Sequence, residues 1–275
     1  EPLPPPLPLF TPTIDTSGLP NHLGLPMMPA PKLKGLVPKG PEGFFVPKGG
    51  SREDLVSRMR KAFLKRIGGS EALSEDKGGD GGAGGTLVYD SILKPPGAPK
   101  DYFEPKPNGM LKPYYVPMGK KDHTLVFESR FESGNLRRAI KVNDGEYDLM
   151  CRPDINTNSY AQWFFFRFSN TRQRRYRFNI VNMLKSDSLY NYGMQPCVYS
   201  EHDAEKYNIG WGRAGFDVCY YRNSKKYHTA TFTVRSKHKN DTIYLAYCYP
   251  YSYSDLRKDL ADLEADKIKK RYIKR

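Results

Sequence analysis

The stretch that decides the fold is YAQWFFFRFSNTRQRRYRFNIVN, which runs from Tyr160 to Asn182. Its first half is an apolar aromatic run, which is typical of a strand. In its second half Tyr176, Phe178 and Ile180 alternate with polar residues, which is typical of a half-buried strand. The polar residues between the two halves predict a hairpin loop. The stretch therefore predicts a hairpin at the centre of an antiparallel sheet.

Composition divides the chain into two parts. Of its 23 prolines 20 lie before residue 120, as do 18 of its 24 glycines, whereas 16 of its 20 tyrosines lie after it. The first part has too little apolar surface to offset the entropy lost on folding, and the second part has enough. We therefore predict a long extended arm followed by one compact β domain over residues 124–253.

About nine strands are predicted in the β domain, separated by turn sequences and without intervening helices. This is the pattern of an all-β, antiparallel sandwich. A helix is predicted over residues 254–275, with Ser254 as its cap and Leu256, Leu260 and Leu263 on one face. The predicted strands are 125–131, 136–142, 147–152, 162–169, 176–182, 197–200, 218–222, 228–234 and 242–249.

The arm has three predicted parts. Residues 1–50 are rich in proline and favour extended, polyproline-type conformations. Residues 51–67 predict a basic amphipathic helix, and residues 68–123 a linker rich in glycine and proline. We expect the helix to dock on a partner, which could be a membrane surface, a calmodulin-like groove, an acidic protein wall or its own β domain. Its apolar stripe is Leu55, Met59, Phe63 and Ile67.

The net charge of +14 favours acidic partners. Nucleic acid fits poorly, because the aromatic residues follow core-like strand patterns and no stacking motif is present. No segment is long and apolar enough to span a bilayer, and no signal peptide opens the sequence. The cysteines form no CxxC pair and predict buried free thiols of an intracellular protein rather than a zinc site. They are Cys151, Cys197, Cys219 and Cys248.

Several stretches of the β domain resemble the N-terminal domain of the cytosolic carboxypeptidases, in the subgroup associated with cilia and with the deglutamylation of tubulin. The resemblance covers about residues 125–263 and implies a β-sandwich that precedes a zinc carboxypeptidase domain. The stretches are LVFESRFESGNL from Leu125, QWFFFRFSN from Gln162, YRFNIVNMLKSDSLYNYGM from Tyr176, YNIGW from Tyr207 and YPYSYSDL from Tyr249.

The resemblance implies that the family's chemistry lies in that following domain, where an HxxE pair and a distant His hold zinc and leave one position open for water. The sequence from His202 to Glu205 also spells HxxE, but it precedes the family's zinc motif, and we interpret it as a polar surface loop. We therefore predict no catalytic residue, no metal ligand and no cofactor in this chain, with zinc in a catalytic domain absent from it. Because the sequence begins with Glu1 rather than Met, we expect it to be part of a longer protein.

As the resemblance implies, this chain is the non-catalytic N-terminal portion of an enzyme that removes glutamates from polyglutamylated tubulin, and is inactive alone. The expected location is the cytoplasm, at a cilium, axoneme or microtubule. The alternative is a structural microtubule- or axoneme-binding protein that uses the sandwich and the arm as an anchor, without catalysis.

Two surfaces follow from these expectations. Glutamate-rich tails of tubulin, or of another acidic ciliary protein, would be attracted by basic loop residues. The candidates are Arg172, Arg174, Arg175 and Lys185. A tyrosine-rich seam would pack against the protein's own catalytic domain, because exposed apolar surface of this size needs cover. The seam candidates are Tyr249, Pro250, Tyr251 and Tyr253.

Overall fold

The computed structural model of the protein describes residues 85–106, 111–157, 160–223 and 227–272. The predicted arm over residues 1–50 lies outside them, as does the first part of the predicted linker. The predicted basic helix, with Leu55, Met59, Phe63 and Ile67, lies outside them too.

Eleven strands form two sheets in the described residues. They are β1 (Thr86–Asp90), β2 (Val126–Glu128), β3 (Leu136–Asn143), β4 (Glu146–Cys151), β5 (Phe165–Ser169), β6 (Arg175–Met183), β7 (Cys197–Ser200), β8 (Gly212–Arg213), β9 (Phe216–Arg222), β10 (His228–Arg235) and β11 (Ile243–Ala246). The first sheet has the order β1-β3-β4-β6-β10-β9, and the second β2-β5-β11-β7-β8. The chain also forms helices α1 (Glu201–Tyr207) and α2 (Tyr253–Ala265) and short 3-10 turns at Leu189–Tyr192 and Lys269–Tyr272. Within the described ranges, no helix has the length and apolarity needed to cross a membrane.

The stretch that decides the fold crosses from one sheet to the other. β5 pairs with β2 and β11, whereas β6 pairs with β4 and β10. The predicted hairpin is therefore wrong, and residues 170–174 connect the two sheets. Both strands still turn aromatic side chains inward, so the rings of Phe168 and Phe178 meet with centroids 5.1 Å apart. Alternation indicates which face of a strand is buried, but it does not indicate which sheet the strand joins.

This crossing makes the first sheet mixed rather than antiparallel. β4 and β6 run parallel, with Glu146 opposite Arg177 and Leu149 opposite Ile180. The chain leaves the first sheet after β4, passes through β5 in the second sheet and returns as β6 in the direction of β4. Parallel neighbours require a crossover of this kind. The β-rich class is confirmed, but purely antiparallel pairing is not.

The sequence prediction misses two short strands, β1 and β8, and one short helix, α1. The described residues therefore contain eleven strands rather than about nine. β1 lies inside the predicted linker, yet Val88, Tyr89 and Asp90 are fully buried. Its five residues stand between a glycine-rich and a proline-rich segment, so composition hides the strand. β8 has two residues, too few for a pattern. Helix α1 follows β7 directly, and Ser200 caps it by accepting a hydrogen bond from the backbone N of Asp203.

The C-terminal helix α2 begins one residue before the predicted cap. The Ser252 hydroxyl accepts a hydrogen bond from the Asp255 backbone N, and the Asp255 carboxylate accepts one from the Ser252 backbone N. This capping box selects Ser252 over the predicted Ser254, because only Ser252 has an acidic residue three positions later that reaches back. On the predicted apolar face, Leu256 is exposed and Leu260 is half-buried.

None of the four cysteines forms a disulfide, as predicted. Cys151, Cys197 and Cys219 are buried, and Cys248 is partly exposed. Burial raises the pKa of Cys151 to about 12 and the pKa of Cys197 to about 11. These two thiols therefore stay protonated at neutral pH and pack as small apolar side chains.

An aromatic cluster fills the space between the two sheets. The ring centroid of Phe178 lies within 6.3 Å of the rings of Phe127, Tyr147, Phe166, Phe168 and Phe232. These rings come from both sheets, and all of them are buried. Aromatic pairs at such distances add to the free energy gained by burial itself. Phe178 is therefore the centre of the contact between the sheets.

We expect Phe178→Ala to lower the free energy of unfolding by about 3–5 kcal/mol, because it leaves a cavity among packed rings. Urea denaturation of the full chain measures this loss. The matched control is Phe103→Ala, since the Phe103 side chain is 38% exposed, and its expected loss is about 1 kcal/mol or less. Equal losses in the two variants would contradict a core centred on Phe178.

Candidate functional site

One end of the two-sheet sandwich carries a cavity of about 940 Å³. Here β3 begins and β4 and β6 end. Three loops surround the cavity: residues 131–135 before β3, residues 152–155 after β4 and residues 248–251 after β11. We call this end of the sandwich the seam end, since the third loop contains predicted seam tyrosines. The volume of the cavity lies in the range of ordinary ligand-binding clefts.

The loop before β3 is a fixed wall of the cavity. The Asn135 side-chain amide donates to the carbonyl of Trp163 at 2.7 Å, and its oxygen accepts from the backbone N of Phe165 at 3.0 Å. Gly134 stands where no side chain fits, because a Cβ atom there would lie 2.3 Å from the carbonyl oxygen of Ser129. The close approach of two backbone segments therefore requires glycine at this position.

Positive charge lines the cavity. Arg137 and Arg138 both pair with the carboxylate of Asp90, which is fully buried at the end of β1. Arg152 donates to a backbone carbonyl of the first loop at 2.9 Å and makes no ion pair with a carboxylate of the described ranges. Asp154 on the rim offsets part of this charge. Arg152 is therefore the guanidinium of this lining without a carboxylate partner in the described ranges, and it favours contact with an acidic group.

The predicted seam tyrosines lie at this cavity. Tyr249 and Tyr251 line it, Tyr253 begins α2, and each is more than half exposed. The Arg213 guanidinium lies 5.6 Å from the ring centroid of Tyr249. The Tyr251 hydroxyl donates to Asp259 at 2.8 Å. The hydroxyl of Tyr251 is thus satisfied within the chain, while much of the ring surface remains open to a partner.

Neighbouring residues extend this surface. The Glu132 carboxylate accepts a hydrogen bond from the backbone N of Ser254 at 2.9 Å, which ties the start of α2 to the cavity wall. Hydrogen bonds from Ser254 hold the pKa of Glu132 below its ordinary value. Pro250 is half-buried between the exposed tyrosines. On another rim of the cavity Ile155 is 90% exposed and Ile92 more than half exposed.

The four basic residues predicted to bind acidic tails do not form one patch. Arg172, Arg174 and Arg175 lie at the start of β6, whereas Lys185 follows its other end. The nine residues of β6 separate them by roughly 27 Å at about 3.3 Å per residue. Lys185 is therefore at the seam end, and the three arginines are at the opposite end.

The three arginines also differ in their surroundings. Arg172 donates to the Asn240 side-chain oxygen at 2.9 Å, and Arg174 pairs with Asp144 at 2.8 Å. Arg175 is exposed, and its guanidinium lies 4.9 Å from the ring centroid of Phe216. Arg172 and Arg174 thus help to hold loops in place, and Arg175 is the most open of the three to a partner.

The HxxE sequence lies on α1 rather than in the predicted loop. Charged and polar residues dominate this seven-residue helix, and a helix this short shows no apolar stripe in its sequence. Glu205 is exposed, whereas His202 is partly buried and its ring packs on that of His238. The helical turn places His202 and Glu205 on one face, but they are not part of one cluster of metal-binding groups in the described chain.

Sequence reasoning missed the arginines of the cavity. Arg137 and Arg138 are consecutive in β3, and successive strand residues ordinarily face opposite sides. A register shift between Leu136 and Arg138 breaks this rule, so both guanidinium groups reach Asp90. In the sequence the two consecutive arginines were the available signal, since a bulge cannot be deduced from the alternation of residues along a strand.

We expect Gly134→Ala to lower the free energy of unfolding by about 1–3 kcal/mol, because the new Cβ forces two backbone segments apart. Thermal or urea denaturation of the full chain measures this. Gly212→Ala is the matched control, since a Cβ there meets nothing within 4 Å, and its expected effect is within about 0.5 kcal/mol. If Gly134→Ala were as stable as Gly212→Ala, the described cavity wall would be wrong.

Comparison with known proteins identifies a family that this chain resembles. The family model of the cytosolic carboxypeptidase N-terminal domain matches residues 127–248. The chain is 43% identical to cytosolic carboxypeptidase 3 of Bos taurus, 37% identical to cytosolic carboxypeptidase 2 of Homo sapiens and 48% identical to cytosolic carboxypeptidase 1 of Mus musculus. These alignments cover 86%, 86% and 52% of this chain.

The same alignments cover 22%, 25% and 13% of the three relatives, so the chain spans a quarter or less of their length. A solved metallo-carboxypeptidase from Burkholderia cenocepacia aligns with 52% of this chain and 34% of its own, at 22% identity and a TM-score of 0.39. The family resemblance of the sequence is thus confirmed by the family match and the curated relatives. Over residues 127–248 this chain is similar to the N-terminal domain of the cytosolic carboxypeptidases.

Proposed function

We propose that this chain is the non-catalytic N-terminal portion of a cytosolic zinc carboxypeptidase that removes glutamates from polyglutamylated tubulin. Its role is to dock the catalytic domain and to help position the substrate. The observation that carries the docking role is the seam end, where exposed tyrosines border a large cavity lined in part by arginines. The family match supports the identity of the enzyme.

Docking is supported by the chemistry of the seam end. Large exposed rings rimmed by polar and charged groups are typical of protein interfaces, where tyrosine and arginine are enriched. Tyr249 and Tyr251 are held by a guanidinium contact and a hydrogen bond, so little side-chain entropy is lost when a partner covers them. α2 starts at this surface and leads the chain onward from it. A carboxypeptidase domain that follows in the chain is therefore the natural occupant.

In this proposal zinc belongs to the carboxypeptidase domain, where it would supply an activated water for hydrolysis of the terminal peptide bond. The residues of the seam end contribute position and charge. Arg152 has no carboxylate partner in the described ranges, and Lys185 lies at the same end. Positive charge beside the interface would raise the local concentration of polyglutamate chains and speed their approach.

Arg172, Arg174 and Arg175 are proposed as a second contact for acidic tails, at the opposite end of the sandwich. Arg175 is the strongest candidate, because it is exposed and its guanidinium is oriented by the ring of Phe216. Tubulin, the microtubule or another acidic ciliary protein is the proposed partner there. A cytoplasmic location at a cilium or axoneme follows from this partner and belongs to the same proposal.

The test uses the protein purified from its native source. We expect an intact mass above 31.5 kDa by roughly 30 kDa or more, which is the mass of one to several typical domains. We also expect release of glutamate from polyglutamylated tubulin, reduced at least about tenfold by a zinc chelator. The control substrate is tubulin whose C-terminal tails have been removed.

The 275-residue chain alone serves as the matched protein control, and it should release no glutamate. A native mass of 31.5 kDa with microtubule binding and no glutamate release would support the structural alternative instead. Glutamate release that a chelator leaves unchanged would contradict a zinc enzyme.

A further inference from the structure

Two histidines and an aspartate come together at the end of the sandwich opposite the seam end. His202 and Asp203 stand on the first turn of α1, and His238 stands in the connection between β10 and β11. One ring nitrogen of each histidine and one oxygen of Asp203 lie within 4.8 Å of one another. Two imidazoles and a carboxylate are the donor set of many zinc sites.

The backbone that carries these groups is fixed from both sides. The Asp241 carboxylate accepts a hydrogen bond from the backbone N of His202 at 3.1 Å. The carbonyl of His238 accepts hydrogen bonds from the hydroxyls of Thr171 and Ser236, at 3.0 and 2.8 Å. The backbone at His202 and His238 is therefore fixed before any ion binds, which lowers the entropy cost of binding.

The imidazole of His202 has one ring nitrogen without a hydrogen-bond partner in the described chain. Its ring stacks on that of His238, with centroids 3.8 Å apart and an interplanar angle of 21°. Its Nδ1 is buried and makes no hydrogen bond within the described chain. An uncompensated buried nitrogen is costly, and a metal ion would compensate it.

Two neighbouring side chains hold the carboxyl group of Asp203 in place. His238 Nε2 lies 2.6 Å from one oxygen and Lys237 Nζ lies 3.1 Å from the other. The Lys237 side chain is 66% exposed, so its ammonium can leave for water when a cation binds.

Zinc binding requires the two rings to unstack. A tetrahedral zinc ion with bonds of about 2.0–2.1 Å places its ligand atoms about 3.3 Å apart. The 2.6 Å contact between His238 and Asp203 then opens by roughly 0.7 Å, and the most distant pair closes by at most about 1.5 Å. Each nitrogen lone pair lies in the plane of its ring, so the two stacked rings must also rotate until both lone pairs point at the ion. Both imidazoles are partly exposed, which gives them room to rotate.

We propose that His202, Asp203 and His238 bind one Zn²⁺ ion, which clamps α1 to the connection between β10 and β11. Water fills the remaining position of the ion. The site lies at the opposite end of the sandwich from the seam end. The proposal differs from the expectation of no metal ligand in this chain, and it is independent of the proposed carboxypeptidase function.

The test is isothermal titration of the untagged 275-residue chain with ZnCl₂, after treatment with a chelator and its removal. We expect one zinc ion to bind per chain. At about one hundred times the dissociation constant, zinc should raise the melting temperature by about 5 °C or more. MgCl₂ and CaCl₂ should give no binding, because imidazole donors suit neither ion.

Substitutions test whether the zinc ion binds at His202, Asp203 and His238. His202→Asn and His238→Asn should each weaken zinc binding at least about tenfold, whereas the control His228→Asn, in β10, should leave it unchanged. Lys237→Ala should bind zinc several-fold more tightly, because no ammonium then competes for Asp203. This gain cannot arise from a folding defect, so it tests the site even if a histidine variant is unstable.

Absence of zinc binding to the native chain would overturn the proposal. Unchanged affinity in His202→Asn and His238→Asn would overturn it too, since the ion would then be held elsewhere. These readouts use no tubulin and no enzyme activity, so their failure is distinguishable from failure of the proposed function.

Discussion

Aromatic packing across the crossing from β5 to β6 is the contact on which the structure depends. The two strands are consecutive in the chain but belong to different sheets, so the contact of Phe168 with Phe178 holds one sheet on the other. Stacked sheets lie about 10 Å apart, a distance that inward-pointing rings from both faces can fill. The same crossing makes β4 and β6 parallel and thereby fixes the order of the first sheet.

The crossing also gives the sandwich two different ends. At the end with residues 170–174, the Thr171 hydroxyl bonds to the carbonyls of His238 and Asp241, and the Asp241 carboxylate bonds to Ser200 at the start of α1. Hydrogen bonds among buried or partly buried groups close this end. The seam end instead holds a cavity and exposed tyrosine rings. The closed end suits a structural clamp, and the open end suits a partner domain.

Much of this arrangement follows from local patterns in the sequence. The alternation around Phe178 identifies the buried face of β6, and the tyrosine-rich segment after β11 identifies a surface at the cavity. The partner strands of β6 do not follow, because a hairpin and a crossing bury the same face. β1 is hidden by the glycines and prolines on either side of it, although Tyr89 is fully buried.

The candidate sites were predictable only in part, for a related physical reason. Lys185 and Arg175 are close in sequence but lie at opposite ends of an extended strand. His202 and His238 are distant in sequence but stack, because β7 and β10 deliver them to the same end. Neither the separation of residues in the sequence nor their charge indicates how far apart they lie in the folded structure. A chemical motif can be judged from sequence only when its residues share one element.

The claim that the seam end docks a following catalytic domain is tested most directly by hydroxyl-radical footprinting of tyrosines. The longer native protein is compared with the 275-residue chain. We predict that Tyr249 and Tyr251 are labelled several-fold less in the native protein, because a docked domain excludes solvent. Tyr207 should be labelled equally in both, since it is similarly exposed and lies at the closed end. Equal labelling of Tyr249 and Tyr251 in the two proteins would contradict the account.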